Sequence, residues 1–177
     1  MCLMREIYYL CTMTNSESRH IVVAFTGHRT YDRSHDAHIL EAVERLVEEG
    51  ARTFRVGMAE GFDLAAAMVV LSLKQRCADV RLELYIPWPE FSHRFSASNR
   101  RLYDQIVKSA DSVTYVAESY SHGLFYERNR RMVEGADRVV AWWDGGASGT
   151  GYTVRYARKL GVAVENLFDY QQLRLLL

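Results

Sequence analysis

The sequence predicts one α/β domain in which helices cover both faces of a mostly parallel central sheet. From His20 onward, short β-branched runs alternate with amphipathic segments, and this alternation is typical of parallel strands joined by crossover helices. The chain has 177 residues, of which 49% are hydrophobic and 25% are charged. This length supports a single three-layer domain with a sizeable core and leaves no room for a second full-sized domain.

Six short apolar runs are predicted to form the strands. They are Ile21–Thr26, Thr53–Gly57, Val80–Ile86, Ser112–Val116, Arg138–Trp142 and Val162–Glu165. Pro87, Trp88 and Pro89 break regular structure directly after the third run. Residues 87–97 are therefore predicted to form a loop.

Five amphipathic segments are predicted to be helices that pack on this sheet. The first carries an apolar stripe at the helical period from Ile39 to Val47, and Gly50 is its expected C-terminal cap. The second, from Phe62 to Leu73, is rich in alanine, which lets a helix approach the sheet closely. The others are Ser98–Ala110, Tyr126–Gly135 and Tyr152–Leu160, the last of them stopped by Gly161.

Residues 1–19 show no clean period, so they are treated as an N-terminal segment without regular structure, and the domain is assigned to residues 20–177. The apolar stretch at 7–13 is short and is followed by polar residues instead of a cleavage site, which disfavours a secretion signal. No run approaches the roughly 20 apolar residues of a membrane span. The sequence therefore predicts a cytoplasmic protein.

The cysteines and histidines of this chain lack the spacing that is typical of a metal site. The three cysteines, Cys2, Cys11 and Cys77, are odd in number and form no C-x-x-C pair. This pattern favours reduced thiols in the cytosol over a zinc site. The histidines on the predicted loops have no metal spacing either, and no Ser/His/Asp set can be assembled. No metal and no cofactor is predicted.

Positive and negative side chains balance in this chain. Lysine and arginine total 22, as do aspartate and glutamate, so the formal net charge is zero. No global field therefore attracts nucleic acid or an anionic membrane, and both are disfavoured as partners. An anion site must be local. The sequence leaves a homo-oligomer open.

Ligands of an open parallel sheet bind outside the carboxyl ends of its strands, so the residues after each predicted strand are the first site candidates. After the first strand come Gly27, His28 and Arg29. The glycine permits a tight turn or the close approach of a ligand, and Arg29 can pair with phosphate. The alternative is a polar turn with an exposed arginine.

The loop after the second strand runs from Gly57 to Asp63 and enters the alanine-rich helix. Gly57 ends the strand, Gly61 lets the backbone turn, and the free N–H groups of the helix start can hold an anion. Glu60 is a candidate partner for a ribose hydroxyl or a candidate catalytic base, with a solvated turn residue as the alternative. Asp63 is expected to cap the helix or complement its dipole.

A glycine-rich segment lies between the fifth strand and the last helix. Its candidate ligand contacts are Asp144, Gly145, Gly146, Ser148, Gly149, Thr150 and Gly151. Uncovered N–H groups at the helix N-terminus, with the threonine hydroxyl, can cradle a phosphate; plain flexibility is the alternative. Tyr152 stands where a Walker A loop requires lysine. The first strand turn also lacks G-x-G-x-x-G, which disfavours an ordinary dinucleotide-dependent dehydrogenase.

Three arginines cluster near the start of the fourth helix, at Arg128, Arg130 and Arg131. Arginine there opposes the helix dipole, so the cluster indicates a bound anion or a carboxylate partner. Arg128 and its neighbour Asn129 are the candidate ligand contacts. A solvated basic face is the alternative.

Four sequence blocks together resemble one family. They are F-T-G-H-R at 25–29, G-M-A-E-G-F-D-L-A-A-A at 57–67, Y-E-R-N-R-R-M-V at 126–133 and W-D-G-G-A-S-G-T-G-Y-T-V at 143–154. In this combination they resemble the YpsA-like branch of the SLOG superfamily, which is related to the DprA and LOG proteins. The resemblance implies a Rossmann-like fold whose glycine-rich loops bind nucleotides or nucleotide-derived small molecules, and it brings no established reaction.

LOG-type relatives hydrolyse the N-glycosidic bond of nucleoside monophosphates and carry a P-G-G-x-G-T-x-x-E motif, from which this chain departs. Asp144 stands in the place of the proline, and one extra residue separates Gly146 from Gly149. Thr153 takes the place of the glutamate. The chain therefore lacks the carboxylate that would stabilise or activate the reacting centre.

The leading hypothesis from the sequence is a sensor or regulatory module that binds a nucleotide or nucleotide-derived ligand, with its phosphate on residues 145–151 and on Arg29 and Arg128. The alternative is a phosphoribohydrolase-like enzyme with Glu60 or Asp144 as acid/base and Arg128 as phosphate clamp. A third hypothesis, single-stranded DNA binding by analogy with DprA, requires a basic groove with stacking aromatics. The zero net charge disfavours it.

Overall fold

Strands and helices alternate along residues 20–168, the part of the chain described by a computed structural model. The segment 1–19 and residues 169–177 lie outside the described residues. The strands are β1 Ile21–Gly27, β2 Ala51–Val56, β3 Arg81–Ile86, β4 Ser112–Tyr115, β5 Arg138–Trp142 and β6 Ala163–Asn166. The helices are α1 Asp36–Glu48, α2 Phe62–Lys74, α3 Ala97–Ser109, α4 Leu124–Val133 and α5 Gly149–Lys159.

The strands form one parallel sheet in the order β4-β3-β2-β1-β5-β6. The chain winds outward from β1 to β4 and then returns to place β5 on the other side of β1. At this switch point the loops after β1 and β5 run in opposite directions and leave a crevice. The two strands end level, because Gly27 pairs with Trp142 in the register and His28 N donates a hydrogen bond to Trp142 O (3.3 Å).

Helices cover both faces of the sheet, which confirms the predicted three-layer fold. The larger core lies under α1, α2 and α3, and the smaller core lies under α4 and α5. Successive residues of a strand point to opposite faces. Val23 and Phe25 therefore enter the larger core, while Ala24 enters the smaller one.

The alanine-rich helix α2 is the most deeply buried of the helices described. Its small residues Ala65, Ala66 and Ala67 are almost wholly inaccessible to solvent, and the helix packs on β1, β2 and β3. The expected close approach of this helix to the sheet is confirmed. It brings the first turn of α2 against the loop after β1.

Element bounds differ from the predictions in two places that matter for the site. Residues 87–97 contain a short 3-10 helix, Phe91–Arg94, because the Phe91 ring packs edge to face on Trp88 (5.2 Å between centroids) and orders the segment. Helix α5 begins at Gly149 and not at Tyr152. The Ser148 hydroxyl caps it by accepting a hydrogen bond from Gly151 N (3.0 Å), so Gly149, Thr150 and Gly151 form its first turn.

Cys77 lies in the larger core with no solvent exposure. The expectation of reduced thiols for the three cysteines stays a prediction.

Candidate functional site

A cavity of about 360 Å³ opens at the switch point between β1 and β5. The loops after β1 and β2, the helix α4 and the first turn of α5 meet around it. Its lining is Thr26, Gly27, His28, Arg29, Ala59, Asp63, Phe125, Tyr126, Arg128, Asn129, Met132, Ser148, Gly149 and Thr150. We call this space the switch-point cavity.

The structure brings together eight of the predicted ligand contacts in this cavity. They are Gly27, His28, Arg29, Arg128, Asn129, Ser148, Gly149 and Thr150. The other predicted contacts do not line it, namely Gly57, Glu60, Gly61, Asp144, Gly145, Gly146 and Gly151.

Arg128 is a buried wall of the cavity, with 5% of its surface exposed. Its Nη1 donates to Gly57 O at the end of β2, and its Nε donates to Asn129 Oδ1 (2.7 Å). Burial lowers the pKa of its guanidinium, although arginine remains charged in proteins. Arg128 therefore ties helix α4 to the loop after β2 while its guanidinium borders the cavity.

Asn129 extends this network into α5. Its Nδ2 donates to Thr153 Oγ1 (2.8 Å), and Thr153 Oγ1 donates to Gly149 O (3.0 Å). Thr153 is almost completely buried. The residue in the place of the LOG glutamate thus serves the contact between α4 and α5.

Asp63 is the carboxylate of the cavity. It lies in the first turn of α2, where it complements the helix dipole, but its Oδ2 accepts a hydrogen bond from Ala59 N (3.1 Å) and not from the helix. Arg128 Nη1 lies 3.9 Å from the same oxygen. Burial raises the pKa of Asp63 to about 6, with the attraction of Arg128 acting in the opposite direction. A carboxyl group that titrates near neutrality therefore borders the site.

Two glycines of the loop after β2 are required by close packing. A Cβ on Gly57 would overlap the Arg128 guanidinium. Gly61 has a φ of +79°, and a Cβ there would meet the backbone carbonyls of His28 and Arg29. Both glycines allow the loop after β2 to pack closely against residues that line the cavity.

Glu60 faces away from the switch-point cavity toward α3. Its Oε1 accepts a hydrogen bond from Asn99 Nδ2 (2.8 Å) and another from Ser96 N (3.4 Å). Ser96 is the residue that caps α3. The carboxylate therefore joins the loop after β2 to the start of α3.

His28 and Asp144 bridge the mouth of the crevice. His28 Nε2 lies 3.0 Å from Asp144 Oδ1 and 3.2 Å from Asp144 N. The first contact needs a proton on Nε2 and the second needs a lone pair there, so the two alternate with the tautomer. Asp144 Oδ1 also accepts a hydrogen bond from Gly146 N (2.8 Å), which lowers the pKa of the carboxyl.

Arg29 is the exposed cation of the cavity. Its guanidinium lies over the Phe125 ring, with 5.5 Å between Cζ and the ring centroid. Among residues 20–168 it makes no hydrogen bond or ion pair. The other arginines of the α4 cluster differ, since Arg130 and Arg131 both pair with Glu127 on the same helix.

Six lining residues were not predicted as ligand contacts. They are Thr26, Ala59, Asp63, Phe125, Tyr126 and Met132. Asp63 was interpreted as a helix cap, and its burial could not be seen from its neighbours in sequence. The other residues lie beside predicted contacts at helical or strand spacing, which is the signal that could have found them.

Within the described part of the chain, no group of three or more His, Cys, Asp or Glu side chains is arranged so that it could hold a metal ion. In residues 20–168, no helix is long and apolar enough to cross a membrane.

A doubly wound parallel α/β domain with its cavity at the switch point is a Rossmann-like protein. The model of the YspA SLOG family, also called YpsA, matches residues 24–173. The chain therefore belongs to the YspA SLOG family, which confirms the resemblance drawn from the four sequence blocks.

Among the relatives, the uncharacterized SPbeta prophage-derived protein YoqJ of Bacillus subtilis is 28% identical over 134 residues, which cover 68% of this chain and 78% of the relative. The UPF0398 protein BH1768 of Halalkalibacterium halodurans is 27% identical over 152 residues, which cover 78% of this chain and 80% of the relative.

The fold is similar to that of DNA processing protein A (DprA). The TM-score is 0.60 for the Streptococcus pneumoniae protein, with 22% identity over 82% of this chain and 49% of that chain. It is 0.58 for the Helicobacter pylori protein, with 19% identity over 81% of this chain and 63% of that chain. This chain thus spans about half to two thirds of the DprA chains. The H. pylori protein has a single-stranded DNA binding mode; at 19% identity, the similarity to it shows the fold alone.

Proposed function

We propose that this protein binds a nucleotide or nucleotide-derived phosphate ligand in the switch-point cavity and serves as a sensor or regulatory module. The observation that carries the proposal is the convergence, on one cavity, of the first turn of α5 and two arginines from separate elements. The proposed contacts are the eight predicted residues that line the cavity.

The phosphate is proposed to lie at the N-terminus of α5. The first N–H groups of a helix have no partner within the helix, and the helix dipole favours an anion there. Ser148 Oγ accepts the hydrogen bond of Gly151, which leaves the N–H groups of Gly149 and Thr150 for the ligand. Arg29, which is exposed and makes no ion pair in the described residues, supplies a positive charge.

The remainder of the cavity suits a nucleoside. Phe125, Tyr126 and Met132 supply apolar and aromatic surface, while Asp63 supplies an acceptor for a hydroxyl or amino group. The volume of about 360 Å³ falls at the lower end of the range for small-molecule sites, roughly 300–1,000 Å³. A mononucleotide unit matches this size and polarity.

The proposal is tested by titrating a panel of nucleotides and their unphosphorylated nucleosides, first by thermal shift and then by isothermal calorimetry. We expect Arg29→Ala to weaken binding of the phosphorylated ligand about tenfold or more, the scale of a charge-assisted hydrogen bond, and to change nucleoside binding little. Arg101→Ala is the matched control, because Arg101 is exposed on α3, on the opposite side of the sheet. The proposal fails if no nucleotide binds, or if Arg29→Ala binds the phosphorylated ligand as tightly as the parent.

Hydrolysis of a nucleoside monophosphate is the second candidate function, and the position of Asp63 favours it. This carboxyl group lines the cavity with a pKa of about 6, in the range that suits general acid or base catalysis. The sequence candidates Glu60 and Asp144 lie outside the lining. The buried Thr153 hydroxyl supplies no carboxylate, so we expect binding without turnover.

Incubation of the protein with nucleoside monophosphates, with free base followed by chromatography, separates the two candidates. We expect no release above that of a boiled sample. Base release that disappears in Asp63→Asn and persists in Glu60→Gln would establish the hydrolase instead.

A further inference from the structure

A second pocket adjoins the switch-point cavity. It is an open groove of about 700 Å³ whose lining includes Tyr126, Ser148 and Gly149. These three residues also line the cavity. The N-terminus of α5 therefore lies in the wall between two spaces, with room for a chemical group on each side.

The lining that belongs to the groove alone is aromatic and basic. It includes Arg130, Tyr152 and Arg155, and no acidic residue lines the groove in the described part of the chain. Arg130 is paired with Glu127, whereas Arg155 makes no ion pair among residues 20–168. The groove thus presents an available cation beside the α5 N-terminus, although the molecule as a whole carries no net charge.

The tyrosines form a braced platform. The Tyr126 and Tyr152 rings meet at 63° with 4.5 Å between centroids, and Tyr152 and Tyr156 are parallel within 3° at 6.2 Å. Tyr156 is itself held, because its hydroxyl donates to Glu134 Oε1 (2.7 Å). A fixed aromatic face next to a free arginine suits a nucleobase, which stacks on such faces.

From this arrangement we infer that the ligand is a nucleotide whose phosphate carries a second substituent, a phosphodiester-linked dinucleotide unit, with one nucleoside in the switch-point cavity and the other in the groove. The inference rests on the proposed function. A terminal monophosphate at the α5 N-terminus would occupy one of the two adjoining spaces and leave the other empty. A bridging phosphate, held in the shared wall, fills both.

The test compares each common ribonucleoside 5′-monophosphate with the dinucleoside monophosphate made from the same nucleoside. A diester carries less negative charge than a monophosphate, so tighter binding of the diester cannot come from charge. We expect the diester to bind about tenfold more tightly, on the scale of one base stacked on an aromatic side chain. A single-stranded oligonucleotide of twelve residues forms a third arm. Affinity that rises beyond the dinucleotide identifies a nucleic-acid strand as the source of the diester, and affinity that levels off identifies a free dinucleotide.

Variants on the two sides of the shared wall separate the inference from the proposed function. Tyr152→Ala and Arg155→Ala should each weaken diester binding about five- to tenfold and leave monophosphate binding unchanged, whereas Arg29→Ala should weaken both. Tyr152→Phe keeps the ring and should retain diester binding, and Arg101→Ala controls for the loss of charge.

If neither ligand class binds, the proposed function is wrong. If monophosphates bind and the diesters bind no more tightly, or if Tyr152→Ala weakens both classes equally, the proposed function stands and the bridging phosphate is wrong.

Discussion

Two loops border the switch-point cavity and are built in opposite ways. The floor loop, residues 57–61 after β2, is mostly buried, and its Met58 has a positive φ of 62° with no solvent exposure. The rim loop, residues 144–148 after β5, is largely exposed. A Cβ on Gly57 or Gly61 would overlap neighbouring atoms, whereas a Cβ on Gly149, directly after the rim loop, meets nothing within 4 Å.

This difference shows that glycines in similar sequence contexts have two different structural roles. Those of the floor loop allow close packing between distant parts of the chain, so they determine the shape of the cavity. Gly149 leaves open space at the start of α5, so it determines what can approach the helix. Substitutions in the floor loop should therefore reduce stability, and a charged substitution at Gly149 should reduce binding.

The largest expected effect is at Arg128, which joins the floor loop to α4. Arg128→Ala removes the partner of Gly57 O and leaves the buried Asp63 without its neighbouring cation. We expect the free energy of unfolding to fall by about 3–5 kcal/mol, the range for a broken buried charge pair. Urea unfolding measures the loss, and Arg131→Ala, on the exposed side of the same helix, should change it by about 0.5 kcal/mol at most. If both variants reduced the free energy of unfolding equally, Arg128 would contribute no more to stability than an exposed arginine of the same helix.

Gly61→Ala should have the next largest effect. Its backbone has a φ of +79°, and the new Cβ would lie about 2.6 Å from His28 O. Backbone strain and overpacking together should cost about 2–4 kcal/mol of unfolding free energy. The matched variant Gly149→Ala should be neutral or slightly stabilising, because alanine is the better helix former. Thermal or urea unfolding of both variants measures the difference. If Gly61→Ala left the stability unchanged, close packing of the floor loop would not require a glycine at this position.

Gly149→Asp should separate binding from stability. An aspartate in the first turn complements the helix dipole, so unfolding should change by less than about 1 kcal/mol. The carboxylate repels a phosphate at the α5 N-terminus, and we expect at least a tenfold loss of affinity, about 1.4 kcal/mol, for the nucleotide that stabilises the parent most. Calorimetry checks the affinity, with Gly149→Ala as the uncharged control. Unchanged affinity in Gly149→Asp would place the phosphate elsewhere.

A further expected effect is the pH dependence of unfolding that Asp63 contributes. Its pKa is raised from the ordinary 3.8 to about 6 by burial, so the folded state holds this proton more tightly than the unfolded state. The contribution of Asp63 to the free energy of unfolding therefore falls as the pH rises from about 4 to about 6, and it is constant above that pH. The difference in unfolding free energy between the parent and Asp63→Asn, measured across this range, isolates the slope because other titrating groups are common to both. A flat difference would contradict the raised pKa.

Local sequence pattern was sufficient for the elements of the fold. The strand predicted at Arg138–Trp142 matches β5 residue for residue, and the apolar stripe from Ile39 to Val47 lies within α1. Periodicity and turn glycines act over a few residues, which is why they can be recognised without the structure. The start of α5 was missed because two glycines follow its Ser148 cap, and glycine is a poor helix former.

The sequence by itself determined the order of strands and helices, the family blocks and the loops that lie at the carboxyl edge of the sheet. Only the tertiary structure decided which side chains of those loops enter the cavity. Arg128 and Gly57 are 71 residues apart, and His28 and Asp144 are 116 apart. Glu60 faces α3 while Asp63, three residues later, faces the cavity. Such choices depend on which distant groups can satisfy a buried charge or hydrogen bond, and these partners are assembled only when the chain packs.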